Sequence, residues 1–234
     1  MKYSSVAHQH KNNSTFRRFS RAYNKFYDAI LNELTPNIFL ELGISTGTNL
    51  MLWNDILKDS VKIGIELLNP SQSVESLTGD SFEKQLDECK EAVDNYLKYQ
   101  LKVNNCFIFK NNNWYFDRDA FSIETVKEII NKHGKIDLII NDARHGIDVW
   151  KKLDVWKDAL TDNGVIITEE IGCATRAQTN GDLINEDQIN SAINEGWKIY
   201  NFNNIKTWNQ SNCIIGYWSK NQLGLKEINE FRRV

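Results

Sequence analysis

The sequence predicts an α/β protein with an open, mostly parallel sheet covered by helices on both faces. Short, almost wholly apolar runs (IFLEL, VKIGI, KIDLII, GVIIT) recur along the chain, separated by stretches with helical spacing. Strands of a parallel sheet read this way because crossover helices bury them from both sides. The first run leads through ELGISTGT into a helix, with Gly43 and Gly47 bracketing a small polar turn. Glycines allow tight dihedrals and close approach of a ligand, and the helix start presents unpaired N–H groups. Several of the runs end in an acid, at the strand ends where such sheets bind ligands.

Composition bounds this reading. A chain of 234 residues is most simply one domain with a substantial core. The formal charge is -3, from 28 Lys+Arg against 31 Asp+Glu, which argues against a protein built mainly to hold nucleic acid but leaves room for a local basic groove. Cys89, Cys106, Cys173 and Cys213 are scattered with no CxxC spacing, so free thiols in a reducing compartment are preferred to a disulfide framework or a zinc site. MKYSSVAHQHKNNS holds no signal-peptide core, and no window is long and apolar enough to span a membrane. The expectation is a cytoplasmic protein with no membrane contact.

In chain order, residues 1–13 are expected to be a flexible tail, 14–220 a single domain, and 221–234 a C-terminal tail. Within 14–35, Phe16, Phe19, Tyr23, Phe26, Tyr27, Ile30 and Leu34 recur at three-and-four spacing, predicting an amphipathic helix whose aromatics pack on the sheet. Pro36 ends it and the first strand follows. Residues 48–58 read as a helix with Leu50, Trp53, Ile56 and Leu57 inward, and 61–66 as a second strand closing on Glu66. A carboxylate there accepts hydrogen bonds from a ribose laid over the first turn; the competing reading is a helix cap or surface ion pair. Residues 81–100 read as a long helix, an insertion or lid over the site. Residues 105–109 are the expected third strand and 111–121 a loop. In that loop Asp117 and Asp119 are candidate cofactor contacts, and Trp114, Tyr115 and Phe116 either wall an adenine pocket or alternate between core and surface. A helix over 123–132 precedes the strand KIDLIIN, and a second helix over 148–160 and a turn at 161–164 lead into a buried strand ending in Glu169-Glu170. Residues 186–195 form the last crossover helix, and strands 197–202 and 213–218 a hairpin at the sheet edge.

Glu41, Glu66, Asp142 and Glu169-Glu170 therefore cluster at strand ends, the last two groups on strands expected to be neighbours. Converging carboxylates repel one another unless a cation or a positive substrate lies between them, and hard oxygen ligands suit Mg²⁺ or Ca²⁺. His145 follows Asp142 by three residues, where the strand end turns into the next helix. A loop histidine is the bland reading; beside these acids, a base for a hydroxyl made more acidic by a metal is preferred. Arg144 either orients an anionic substrate or balances the acids.

ELGISTGTNLMLW, IGIE, IINDARHGIDVW and GVIITEEI together resemble the class I S-adenosylmethionine-dependent methyltransferases. More narrowly they resemble the Mg-dependent O-methyltransferases of macrolide sugars and the related cephalosporin-biosynthesis proteins, over roughly residues 23–170 in order. The resemblance implies a Rossmann-like, seven-stranded, mostly parallel sheet with an antiparallel edge strand. It places Glu41, Leu42, Gly43, Ser45, Thr46, Gly47 and Asn49 in the glycine-rich first motif, with Ser45 where a middle glycine is usual. Glu66 falls at the ribose-binding carboxylate, and Leu67, Asp117, Asp119 and Asn141 are further cofactor contacts. Asp142, Glu169 and Glu170 fall at the Mg²⁺ ligands and His145 at the catalytic base, with Asp142 sharing that centre. Asn141-Asp142 stands for the usual Asp-Asp and Glu169-Glu170 for Glu-Asp, and neither change removes a metal oxygen ligand.

The expected activity is Mg-assisted O-methylation of a hydroxyl on a small molecule or sugar, using S-adenosylmethionine, in a chain that is a candidate homo-oligomer. Two other readings stay open. One is a metal-independent methyltransferase for a nucleotide, glycan or nucleic-acid end; the other is a noncatalytic S-adenosylmethionine-binding or structural protein. The helix at 81–100 and the loop at 174–183 lie where the acceptor would be selected.

Overall fold

Strand β1 (Ile38–Leu42) lies at the centre of the sheet, between β2 (Val61–Ile65) and β6 (Ile136–Asn141), and is parallel to both. A computed structural model describes residues 21–44, 48–67, 102–103, 106–109, 112–144, 148–169, 171, 186–201 and 214–221. The expected tail at 1–13, the lid at 81–100, the loop at 174–183 and the C-terminal tail from 222 onward lie outside them. Among the described residues the other strands are β3 (Lys102–Val103), β4 (Cys106–Phe109), β5 (Asn112–Tyr115), β7 (Leu160–Thr168), β8 (Lys198–Asn201) and β9 (Ile214–Ser219). They join one sheet in the order β3-β4-β5-β2-β1-β6-β7-β9-β8. Strands β5, β2, β1, β6 and β7 run parallel, while β9 is antiparallel to both β7 and β8. The seven strands from β5 to β8 form the expected mostly parallel sheet, and β3 and β4 extend it antiparallel beyond β5.

Side chains alternate across this sheet, so each strand supplies two cores. Phe39, Leu138, Ile140, Val165 and Ile167 face α1 (Arg21–Glu33) and α2 (Thr48–Ile56), which contribute Phe26, Tyr27, Ile30, Leu50 and Trp53. Leu40, Leu42, Ile63, Ile139 and Ile166 face the other helices: α3 (Ile123–His133), α4 (Val149–Leu153), a 3₁₀ segment (Asp154–Ala159) and α5 (Glu186–Asn194). Burying one such side chain fully contributes about 1.5–3 kcal/mol, so these two layers carry the fold. Helix α3 is bounded as its sequence suggests: Ser122 Oγ accepts from the Thr125 N–H at 3.1 Å, and Gly134 stops the helix at φ 85°.

Three expectations are corrected here. The segment read as a loop contains β5, whose Asn112–Tyr115 pair in register with Lys62–Ile65 of β2. Three consecutive asparagines suppress the strand signal, yet pairing on both sides and burial of Trp114, Tyr115 and Phe116 outweigh that local preference. The three aromatics are core residues: Trp114 and Phe116 pack in one layer and Tyr115 in the other. The run read as the third strand is instead β4, outboard of β5 and antiparallel to it. The turn read at 161–164 lies inside β7 as a bulge, where β6 passes from Ile136 to Leu138 while β7 passes from Leu160 to Val165.

Asp137 ties the amino ends of three strands together. Its Oδ2 accepts from the Asn37 and Ile38 N–H groups at 2.8 and 2.9 Å, and its Oδ1 from the Thr161 hydroxyl at 2.9 Å. At the end of α3, the Tyr115 hydroxyl and His133 Nε2 form a hydrogen bond of 2.8 Å. Burial, and secondarily Lys132, holds the His133 pKa below its ordinary 6.5. A histidine depressed in the folded state binds fewer protons there than in the unfolded chain, so its contribution is complete above pH 6.5 and is lost as pH falls through the folded value. Thermal denaturation of wild type and His133→Gln is expected to show a melting temperature that falls less steeply below pH 6.5 in the variant.

Candidate functional site at the carboxyl edge of the sheet

Parallel pairing brings the strand ends to a common level. Tyr115 pairs with Ile65, Ile65 with Leu42, Leu42 with Asn141, and Asn141 with Thr168. The next residues along the four central strands are Glu66, Gly43, Asp142 and Glu169. Their backbone N–H groups continue the ladder: Glu66 donates to Tyr115 O (2.8 Å), Gly43 to Ile65 O (2.8 Å), Asp142 to Leu42 O (2.9 Å) and Glu169 to Asn141 O (3.2 Å). With adjacent strands roughly 5 Å apart, four of the predicted site positions stand side by side one residue beyond the sheet.

Gly43 has φ 85°, a left-handed conformation that side chains disfavour. A Cβ added there would lie 2.6 Å from Ala143 Cα, 2.7 Å from Ala143 N and 2.9 Å from Asp142 C. The first turn is thus pressed against the backbone of the loop that carries Asp142, and only glycine permits that approach. Ser45, Thr46 and Gly47 of the same motif lie outside the described residues, as does the Asn49 side chain.

Asn141 is fully buried and holds the loop after β6 from within. Its Nδ2 donates to Arg144 O at 2.8 Å and to Thr168 Oγ1 at 2.9 Å, and its Oδ1 accepts from the Ala143 N–H at 3.3 Å. Asn141, expected as a cofactor contact, thus also braces β6, β7 and the loop. Asp142 is partly buried, whereas Arg144 is exposed and lies 3.8 Å from Asp148 in a surface ion pair. His145 and Glu170 lie outside the described residues. Among the described residues no group of three His, Cys, Asp or Glu side chains is arranged to hold a metal ion.

Glu66 is half-buried and its Oε1 accepts from the Leu67 N–H at 2.9 Å. Leu67 is 61% exposed, so a carboxylate and an open apolar surface adjoin, a pairing that suits a ribose and its base. The loop after β5 is tied to this point by a bond from the Arg118 N–H to Glu66 O (3.1 Å). Arg118 Nε also donates to Glu128 of α3 at 2.8 Å, and that hydrogen bond, offset in part by burial, raises the guanidinium pKa. Asp117 is exposed at φ 56° and Asp119 Oδ1 accepts from the Phe121 N–H at 2.9 Å, which makes Asp119 a turn-forming side chain.

Glu41 is buried at 1% exposure inside β1, level with Ile140 and on the α1 face. Glu169 is buried at 3% exposure, and its Oε1 accepts a hydrogen bond from the hydroxyl of Tyr27 in α1. The sequence reading takes Tyr27 for one aromatic among several in a helix stripe. Its signal was a hydroxyl on a face otherwise suited to phenylalanine. The Arg118–Glu128 bond, ten residues apart across a loop, has no comparable sequence signal.

No family model matches the sequence, and no curated protein does. Solved structures do match in fold. An O-methyltransferase from Bacillus cereus in complex with S-adenosylhomocysteine is 13% identical over 93% of this chain and 89% of that chain, with a TM-score of 0.50. The MycE methyltransferase of the mycinamycin pathway, in complex with Mg and S-adenosylhomocysteine, is 12% identical, with a TM-score of 0.51. That match covers 83% of this chain and 45% of the other, so this chain spans less than half of MycE. The chain has the class I S-adenosylmethionine-dependent methyltransferase fold. Among the described residues no helix is long and apolar enough to cross a membrane.

Gly43→Ala is expected to destabilise the protein by roughly 2–5 kcal/mol, the sum of left-handed strain and overlap with immovable backbone. Gly64→Ala should cost less, because the nearest atoms its Cβ would meet belong to the side chains of Ile44 (2.8 Å) and Leu50 (3.0 Å). Urea denaturation of the two variants checks the order.

Proposed function

We propose that the chain is an S-adenosylmethionine-dependent O-methyltransferase acting on a hydroxyl of a small molecule or sugar, with a divalent cation held by Asp142, Glu169 and Glu170 and His145 as base. The observation that carries the proposal is the single level at which Gly43, Glu66, Asp142 and Glu169 follow the paired strand ends. In an open α/β sheet that is where ligands bind.

The residues present fit both groups chemically. Glu66 beside exposed Leu67 provides acceptors for vicinal hydroxyls and an apolar face for a base. Asp142 and Glu169 follow hydrogen-bonded strands and offer hard oxygens, as Mg²⁺ requires. When bound, the cofactor supplies an electrophilic methyl carbon and the cation supplies positive charge beside the acceptor. The chain's own contribution would be alignment and proton removal: the first turn would hold the methionine part and sugar of the cofactor, Glu66 would accept from its ribose, the acids would hold the cation beside the acceptor, and His145 would take the hydroxyl proton. Arg144, exposed beside Asp142, can exchange its surface ion pair with Asp148 for an anionic group on the acceptor.

Calorimetric titration with S-adenosylhomocysteine should show one site, and a folded protein that binds none sinks the cofactor assignment. With an acceptor in hand, His145→Ala is expected to lower kcat about 10²–10⁴-fold, the usual worth of a positioned base. Activity indifferent to EDTA would assign the chain to the metal-independent class instead.

A further inference from the structure

Tyr27 and Glu169 form a buried pair that neither cofactor binding nor packing explains by itself. The two residues are 142 apart in sequence, 1% and 3% exposed, and joined by the bond from the phenol hydroxyl to Oε1. Tyr27 is held on its other sides by aromatic rings: Phe26 at 5.6 Å and Trp53 of α2 at 5.2 Å, both edge-on. Its hydroxyl is therefore aimed by the packing of two helices. A phenylalanine and a leucine would fill the same region without removing a carboxylate from water, a transfer that costs several kcal/mol unless hydrogen bonds offset it. The carboxylate nevertheless sits one residue beyond the sheet, on the strand beside the one that presents Asp142.

We propose that Tyr27 is a positioning residue for the acidic cluster: by donating to Oε1 of Glu169, the phenol fixes the orientation in which that carboxylate meets a divalent cation. This rests on the cluster being a cation site, as proposed above. A ligand carboxylate held by an outer partner loses less freedom on binding, and removing such a partner typically weakens metal affinity about 10–100-fold. By linkage, a bond that favours the cation is favoured by it, so an occupied site also secures α1 against the sheet.

The test is calorimetric titration of Mn²⁺ into wild type, Tyr27→Phe and Phe26→Leu, each saturated with S-adenosylhomocysteine. Tyr27→Phe keeps the ring and removes only the hydroxyl. It is expected to bind Mn²⁺ about tenfold more weakly or worse while its S-adenosylhomocysteine affinity stays within about twofold. Phe26→Leu perturbs the packing of the same helix and is expected to lower the melting temperature but leave Mn²⁺ affinity unchanged. Mn²⁺ should slow hydrogen exchange across α1 in wild type and not in Tyr27→Phe. Unchanged Mn²⁺ affinity in Tyr27→Phe, or an equal loss in Phe26→Leu, overturns the positioning role while leaving the cation site standing. A wild type that binds S-adenosylhomocysteine but no Mn²⁺ overturns the cation site, and this inference with it.

Discussion

The register of the parallel ladder is the constraint on which the rest of the structure depends. Because Leu42 pairs with both Ile65 and Asn141, and Asn141 with Thr168, the central strands stop at one level. A slip of one residue in any strand would exchange its two faces, sending Phe39 or Leu138 toward the wrong helices and Glu169 away from Tyr27. The apolar layers on both faces therefore specify the site indirectly. They set the alignment of the strands, and the alignment sets which side chains share the carboxyl edge.

Alignment alone leaves the loops at the edge undefined; two short-range devices define them. Gly43, at φ 85°, brings the first turn onto the Ala143 backbone with no room for a side chain. Asn141 then uses both ends of its amide to fasten that loop to itself and to Thr168. The contact and the brace meet at Ala143, whose backbone lies against Gly43 and whose N–H donates to Asn141 Oδ1. The loop bearing Asp142 is consequently held by backbone and buried amide bonds, the kind of support that fixes a site before any ligand arrives.

Much of this was legible in the sequence, and the failures have identifiable causes. Apolar runs report burial on both faces, so β1, β2, β6 and β7 and the acids after them were readable. Strand β5 was missed because its first residues are asparagines whose place is decided by partners on either side. The position of Asn141 is legible in the sequence but its bracing role is not, since Thr168 lies 27 residues away. The core position of Tyr27 is legible in the helix stripe, whereas its bond to Glu169 is not. Periodicity places a residue on a face, but it does not say what its polar atom meets across 142 residues of chain.

Two buried ionisable side chains lie at opposite ends of the sheet. Lys62 is fully buried near the amino end of β2, where its Nζ donates to Ser60 O at 2.8 Å and Lys58 O at 3.3 Å. Burial lowers its pKa, Asp59 partly opposes this, and the carbonyls it meets belong to the turn after α2, where a cation caps orphan acceptors. That lysine closes a turn far from the carboxyl edge. Glu169 is equally removed from water but stands at the opposite end of the sheet, in line with Asp142 and Gly43. Its partner comes from a separate helix packed on the sheet rather than from its own turn. Both groups are held by neutral oxygen partners, carbonyls for the lysine and a phenol for the glutamate, so each end of the sheet keeps one ionisable side chain away from water only where hydrogen bonds offset the cost.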